Sequence, residues 1–119
     1  MPEWIGRQAF RALFSEAAEA EKYRSQLSSS AGVAAFFGLD ETPESWVQVG
    51  RAFERFALRA TALGIRTAHV NQPIEVGALR TDLAFLAGHP GRRPDLLIRF
   101  GCGPTLPMSL RRPVETVLA

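Results

Sequence analysis

Cysteine is nearly absent from this chain: Cys102 is the single example in 119 residues. One thiol closes no internal disulfide, and no histidine or second cysteine stands at a zinc-type spacing from it. Cys102 therefore reads as a lone loop thiol. Lysine is equally scarce, Lys22 being the one exception among fourteen basic residues that are otherwise arginine. The two histidines, His69 and His89, have no acid or nucleophile beside them in any pattern that marks acid–base or nucleophilic catalysis. The motifs G-x-S-x-G, G-x-x-x-x-G-K-[ST], H-E-x-x-H and C-x-x-C are all missing. No catalytic side chain and no metal ligand is expected. Long apolar runs are lacking too, since the longest nearly apolar stretch, AGVAAFFGL at 31–39, is far short of the roughly 20 residues that span a bilayer. No basic-then-apolar segment follows Met1, so no secretory leader is expected and the reducing cytoplasm is the expected compartment.

What is present suits one folded domain. A chain of 119 residues buries roughly two-thirds of the surface that its unfolded form exposes, enough for a real core. Hydrophobic residues at 46% and charged residues at 22% exclude the low hydropathy and high net charge of disordered chains. The net charge is only +2, and acids alternate with the arginines through most of the sequence. A nucleic-acid surface needs basic residues gathered on one face and, for single strands, interleaved aromatics, so no nucleic-acid partner is expected.

Periodicity orders the chain as helix, strand, helix, strand, helix, strand and tail. From Pro2 through the serine triplet at 28–30, apolar positions Trp4, Ile5, Phe10, Leu13, Phe14 and Ala17 predict a helix that the serines end. AGVAAFFGL reads as a buried strand. The strongest helical signal follows: Thr42 as cap, Pro43 in the first turn, a stripe of Trp46, Val49, Phe53, Phe56, Ala57, Ala60 and Leu63, and Gly64 as the stop. Its broad apolar coverage suits a core or a subunit interface. IRTAHV predicts a strand that the proline of NQP ends. Ile74 to Ala87 predicts a helix with Val76, Leu79, Leu83 and Leu86 on one face, and DLLIRFG predicts a buried strand. Residues 102–119 form an irregular C-terminal arm. The expected fold is mixed α+β, one domain with long helices flanking a small mixed sheet.

Two loops attract attention on chemical grounds. VNQPIEVG leaves a strand and opens a helix, which would turn the backbone amides of Ile74, Glu75 and Val76 toward an anion or an electron-rich heteroatom; an ordinary helix start is the competing reading. SLRRP offers the Ser109 hydroxyl and the Arg111 and Arg112 forks to one phosphate, against the competing reading of a surface patch.

At these residues the sequence resembles a known family. WVQVGRAFERFALRATALGIRTAHVNQPIEV, followed by RRPDLLIRFGCGPTLPMSLRRPVETVL, is similar to the C-terminal portion of FMN-binding nitroreductase-like proteins of the Acg type. The resemblance runs from about AEAEKYRSQLSSSAG to the end. It implies a nitroreductase fold in which long helices build a dimer-like interface that holds FMN. A Pro-x-Glu loop of that superfamily presents amides to the flavin ring, and Gln72, Pro73, Ile74, Glu75 and Val76 match it, with Val76 where glycine is common. A basic element near the C-terminus holds the flavin phosphate there and corresponds to the Ser109 to Arg112 stretch, Arg111 first and Arg112 second.

The family pattern also has an N-terminal Arg-Arg-Ser-type segment and two related halves, of which this chain resembles the second. The resemblance thus implies a homodimer, or a partner chain that supplies the other half of the pocket. The implied activity is an FMN-dependent oxidoreductase passing electrons from NAD(P)H to a nitroaromatic or quinone-like small-molecule acceptor, with the cofactor carrying the chemistry and the protein orienting it. The alternative is a non-catalytic, truncated flavin-binding or dimerisation module.

Overall fold

The computed structural model describes residues 16–118. The expected helical positions from Pro2 to Phe14 lie outside them. In chain order the elements are α1 (Glu16–Ser28), β1 (Gly32–Phe37), α2 (Pro43–Ala62), β2 (Arg66–His69), α3 (Gln72–Glu75), α4 (Gly77–Leu86), β3 (Pro94–Gly101) and a single 3-10 turn at Val114–Thr116. The chain is a mixed α+β fold, as its pattern predicts.

Local chemistry sets the element ends. α1 stops at the serine triplet, where the hydroxyls of Ser28, Ser29 and Ser30 donate to the carbonyls of Ser25, Gln26 and Gln26 and satisfy groups that a helix end leaves open. α2 starts at Thr42, whose hydroxyl accepts from the Ser45 amide at 3.3 Å, with Pro43 in the first turn. It closes at Gly64, which takes a positive φ of 71° that costs glycine little.

β3, the last strand in sequence, is the middle strand in space, in the order β1-β3-β2. Both pairings are antiparallel among the described residues, which corrects the expectation of a mixed sheet. The order explains the burial. β3 carries Pro94, Leu97 and Ile98, all buried, whereas β1 is an edge strand with Val33 exposed and corrects the reading of a fully buried strand.

The register divides the sheet into two faces. Phe36, Ala34 and Gly32 stand opposite Leu96, Ile98 and Phe100, and His69 and Thr67 continue the same face on β2. α2 covers this face. Phe36 meets Phe53 and Phe56 edge-on at 6.0 and 5.7 Å between centroids, Phe56 meets Phe100 at 5.7 Å, and Phe53 meets His69 at 5.1 Å. Gly32 lies under Phe100, whose ring tip would come within 2.6 Å of an added Cβ. The opposite face carries Ala35, Leu97 and Val70 and is covered by Tyr23 of α1, Ile74 of α3 and Leu83 of α4. Full burial of a side chain such as Leu97 or Ile98 contributes about 1.5–3 kcal/mol. Thus the α2 stripe is correct at Val49, Phe53, Phe56, Ala57 and Ala60, while Trp46 and Leu63 at its ends are exposed.

Candidate functional site

The segment after β2 is built differently from the continuous helix that its pattern predicts. Val70 donates its amide to the Leu97 carbonyl at 3.0 Å, and the Asn71 side chain then takes the next rung, its Oδ1 accepting from the Leu97 amide at 2.9 Å. A side chain thus ends the ladder two residues before Pro73. One turn of helix, α3, follows. Val76 then adopts an extended conformation and α4 begins at Gly77. The break has a partner that the periodicity hides: Arg80 donates Nε to the Ile74 carbonyl at 2.8 Å and Nη2 to the same oxygen. That carbonyl would accept from residue 78 in an unbroken helix, so the guanidinium replaces a helical bond. Leu79 and Leu86 are consequently exposed, and Ala84 with Leu83 forms the packed face of α4.

This geometry corrects one expectation about the loop. The amides of Ile74 and Glu75 both donate to the Asn71 carbonyl, at 2.8 and 3.0 Å, and that of Val76 donates to the Gln72 carbonyl at 3.0 Å. They are spent within the turn. Ile74 is buried, Pro73 is half-buried, and Gln72, Glu75 and Val76 are the members of the set that reach solvent. What the turn offers a ligand is therefore side chains, a carboxylate and an amide, on an exposed face.

Residues 102–118 are exposed throughout, Ser109, Arg111 and Arg112 included. The start of this arm is tied to the body by Arg66 on β2, which donates Nη2 to the Thr105 hydroxyl at 2.5 Å. The arm leaves β3 at Gly101, which pairs with Arg66 at the first residue of β2, whereas the α3 loop leaves the last. The two loops are launched about 10 Å apart, at opposite ends of one four-residue strand. Six residues from Thr105 to Arg111 could span about 20 Å if extended. Among the described residues no hydrogen bond or ion pair joins Arg111 or Arg112 to Glu75, and all three are exposed.

Within one chain the Ile74, Glu75 and Val76 amides are engaged in the turn, and Arg111 and Arg112 stand exposed on the arm. The exposed character of both loops leaves the same residues available to a second chain. Along the arm Leu106, Met108 and Leu110 alternate, all largely solvent-exposed. On the body an open groove of about 440 Å³ runs beside α2 between Trp46, Phe53, Arg93 and Leu96, with Trp46 half-exposed.

A second cleft of about 300 Å³ lies where β1 meets the first turns of α2, between Phe36, Phe37, Leu39, Ser45, Gln48 and Val49. Its polar rim is organised by Asp40, which accepts from the Thr42 hydroxyl at 2.6 Å and the Thr42 amide at 3.2 Å. These bonds hold the Asp40 carboxyl below the ordinary carboxylate value. Residues that sequence reasoning passed over also meet: Arg80, Arg92 and Arg93 line one further cleft with Glu41. The adjacent pair Arg92-Arg93, a copy of the Arg111-Arg112 pattern, was the signal available for them. Among the described residues no group of three or more His, Cys, Asp or Glu is placed to hold a metal ion, and no helix is long and apolar enough to cross a membrane. Comparison of the chain with protein-family models, with curated proteins and with solved structures finds no match.

Proposed function

We propose that this chain forms part of an FMN-dependent oxidoreductase of the nitroreductase type, with the flavin held between two chains. One observation carries the reading: the 102–118 arm is exposed along its whole length, presents Leu106, Met108 and Leu110 on alternate residues, and begins at the far end of β2 from the α3 loop. Among the described residues such an arm packs on nothing, and it is suited to cross to a partner. There Arg111 and Arg112, with Ser109, would meet the flavin phosphate, two guanidinium forks suiting a phosphate through paired charged hydrogen bonds. Gln72 and Glu75 of the partner's exposed α3 face would lie at the ring. FMN, when bound, supplies the electron transfer from NAD(P)H to a nitroaromatic or quinone-like acceptor. The exposed Trp46 and the groove beside α2 suit a second copy of this chain as the partner.

The second reading, a non-catalytic flavin-binding or dimerisation module, is favoured by the internal hydrogen bonds of the Ile74, Glu75 and Val76 amides. A turn that has spent its donors binds a ring less strongly than one that keeps them free.

One experiment separates these outcomes. The purified chain is titrated with FMN, flavin fluorescence and sedimentation are recorded together, and NAD(P)H oxidation is then measured at saturating FMN. The expected result is FMN bound to a dimer, with Arg111→Ala weakening binding about tenfold, the ~1.4 kcal/mol scale of one charge-assisted contact, and Arg51→Ala on the exposed face of α2 leaving it unchanged. Bound FMN without NAD(P)H oxidation supports the module. Absence of FMN affinity, or equal affinity in the two variants, overturns the phosphate role of the arm.

A further inference from the structure

The cleft between α4 and the 91–93 turn has a volume of about 290 Å³ and is lined by three arginines, Arg80, Arg92 and Arg93, together with Thr81, Gly77 and Glu41. Arg80 donates to the Ile74 carbonyl, and Arg92 donates Nη2 to the Gly38 carbonyl at 2.7 Å. Both contacts are to neutral oxygens. They fix the two forks without compensating either charge, and each fork keeps N–H groups that these bonds do not use.

Among the described residues Arg93 is the one of the three with carboxylate neighbours, Glu41 at 3.6 Å and Asp95 at 3.6 Å, and its Nε is buried without a hydrogen-bond partner there. Glu41 is the single acid on the cleft wall, and its side chain is 70% exposed. An adjoining chamber of about 180 Å³ shares Arg92 and Arg93 and adds Asp40, whose carboxylate already accepts from Thr42. The charge balance of the cleft is positive. Gly77 and Gly91 are exposed on its lining, and an added Cβ at either would meet nothing within 4 Å. Gly77 also begins the ten-residue α4 behind Val76, which provides no side-chain cap.

We infer that this cleft is a binding site for a small phosphate-bearing ligand. Among the described residues neither Arg80 nor Arg92 has a carboxylate partner, and a divalent oxyanion between them would balance two like charges on one cleft while accepting from their free N–H groups and from the Thr81 hydroxyl. The cavity is at the small end of ligand sites, which fits a phosphate group with little attached to it. The arm and its Arg111-Arg112 pair take no part in the cleft, so this site stands apart from the flavin reading.

The test is an amide NMR titration of the full chain with inorganic phosphate and, separately, adenosine 5′-monophosphate, at constant ionic strength set with chloride. The expected result is saturable shifts at Gly77, Thr81, Gly91 and Arg92. Arg92→Gln lowers the affinity about tenfold, Thr81→Val lowers it less, and Arg112→Gln leaves it unchanged, with the melting curve of each variant showing that it folds. Tighter binding of the monophosphate identifies a nucleotide phosphate as the ligand, and equal binding identifies phosphate alone; both sustain the site. Shifts confined to residues 109–112, an adventitious response common to all variants, or no saturable shift with either probe overturns it.

Discussion

Asn71→Ala should be the most damaging polar truncation in the body of the fold. The Leu97 amide belongs to a buried residue of the central strand, and its acceptor is Oδ1 of Asn71, at 2.9 Å. β2 has run out of backbone at this point, because the Asn71 carbonyl is turned to the amides of Ile74 and Glu75. Among the described residues no second acceptor serves the Leu97 amide. Removing the side chain therefore leaves a buried donor unpaired, which costs about 1–3 kcal/mol rather than the ~1 kcal/mol of an ordinary exposed hydrogen bond. Asn71→Asp keeps an acceptor oxygen in place and should recover most of the loss at neutral pH. The weak contact of Asn71 Nδ2 with His69 Nδ1, at 3.5 Å, contributes little to the difference. In urea unfolding a 2 kcal/mol loss moves the midpoint by about 1 M for a small-protein slope of about 2 kcal/mol per M, with the slope itself unchanged. If Asn71→Ala lies within 0.5 kcal/mol of the parent chain, or if Asn71→Asp is as damaging as alanine, the side chain is not the last rung of the β2–β3 ladder.

Three further outcomes follow from the same contacts. Thr42→Ala removes the cap of α2 and should cost about 1 kcal/mol at neutral pH in urea titrations. The same hydroxyl donates to Asp40 and lowers its carboxyl; a lowered folded-state value stabilises above the ordinary value of 3.8 and is lost as pH falls through the folded one. The gap between parent and Thr42→Ala should accordingly narrow in acid below pH 3.8 while the cap contribution persists, and a gap that widens there would remove the Asp40 contact from the account. Gly64→Ala, at φ 71°, should cost about 1–2 kcal/mol although an added Cβ meets no atom, a loss readable as a lower thermal midpoint with helix content retained.

The parts of the fold that were legible in the sequence are those set by nearest neighbours. Thr42, Pro43 and Gly64 bracket α2 because cap and stop chemistry acts within four residues, and the serine triplet ends α1 for the same reason. The strand segments were legible; their order was not. Nothing in AGVAAFFGL states that β3 is its one strand neighbour among the described residues, so an apolar run read as buried became an edge. The break at Val76 was hidden for a related reason. Val76, Leu79, Leu83 and Leu86 keep helical spacing through it, and the competing term is a side chain, Arg80, six residues from the carbonyl it captures.

The same distinction governs the candidate sites. Proximity in sequence made the Ile74 to Val76 amides look available, since a strand followed by a helix start is where free donors are expected. Availability depends on what the turn does with its own carbonyls, and Asn71 supplies one that takes two of the three amides. The Arg111-Arg112 and Arg92-Arg93 pairs are equivalent as sequence, yet they meet opposite fates. One stands on an exposed arm with no acid or carbonyl bound to it among the described residues; the other is held at Gly38, Glu41 and Asp95 by a turn that Gly91 bends at φ 79°. A fixed arginine has already lost the rotamer freedom that binding an anion would otherwise cost, of order 0.5–1.5 kcal/mol per side chain. On that ground the cleft should bind phosphate in the isolated chain, whereas the arm gains comparable affinity only when a partner surface orders it.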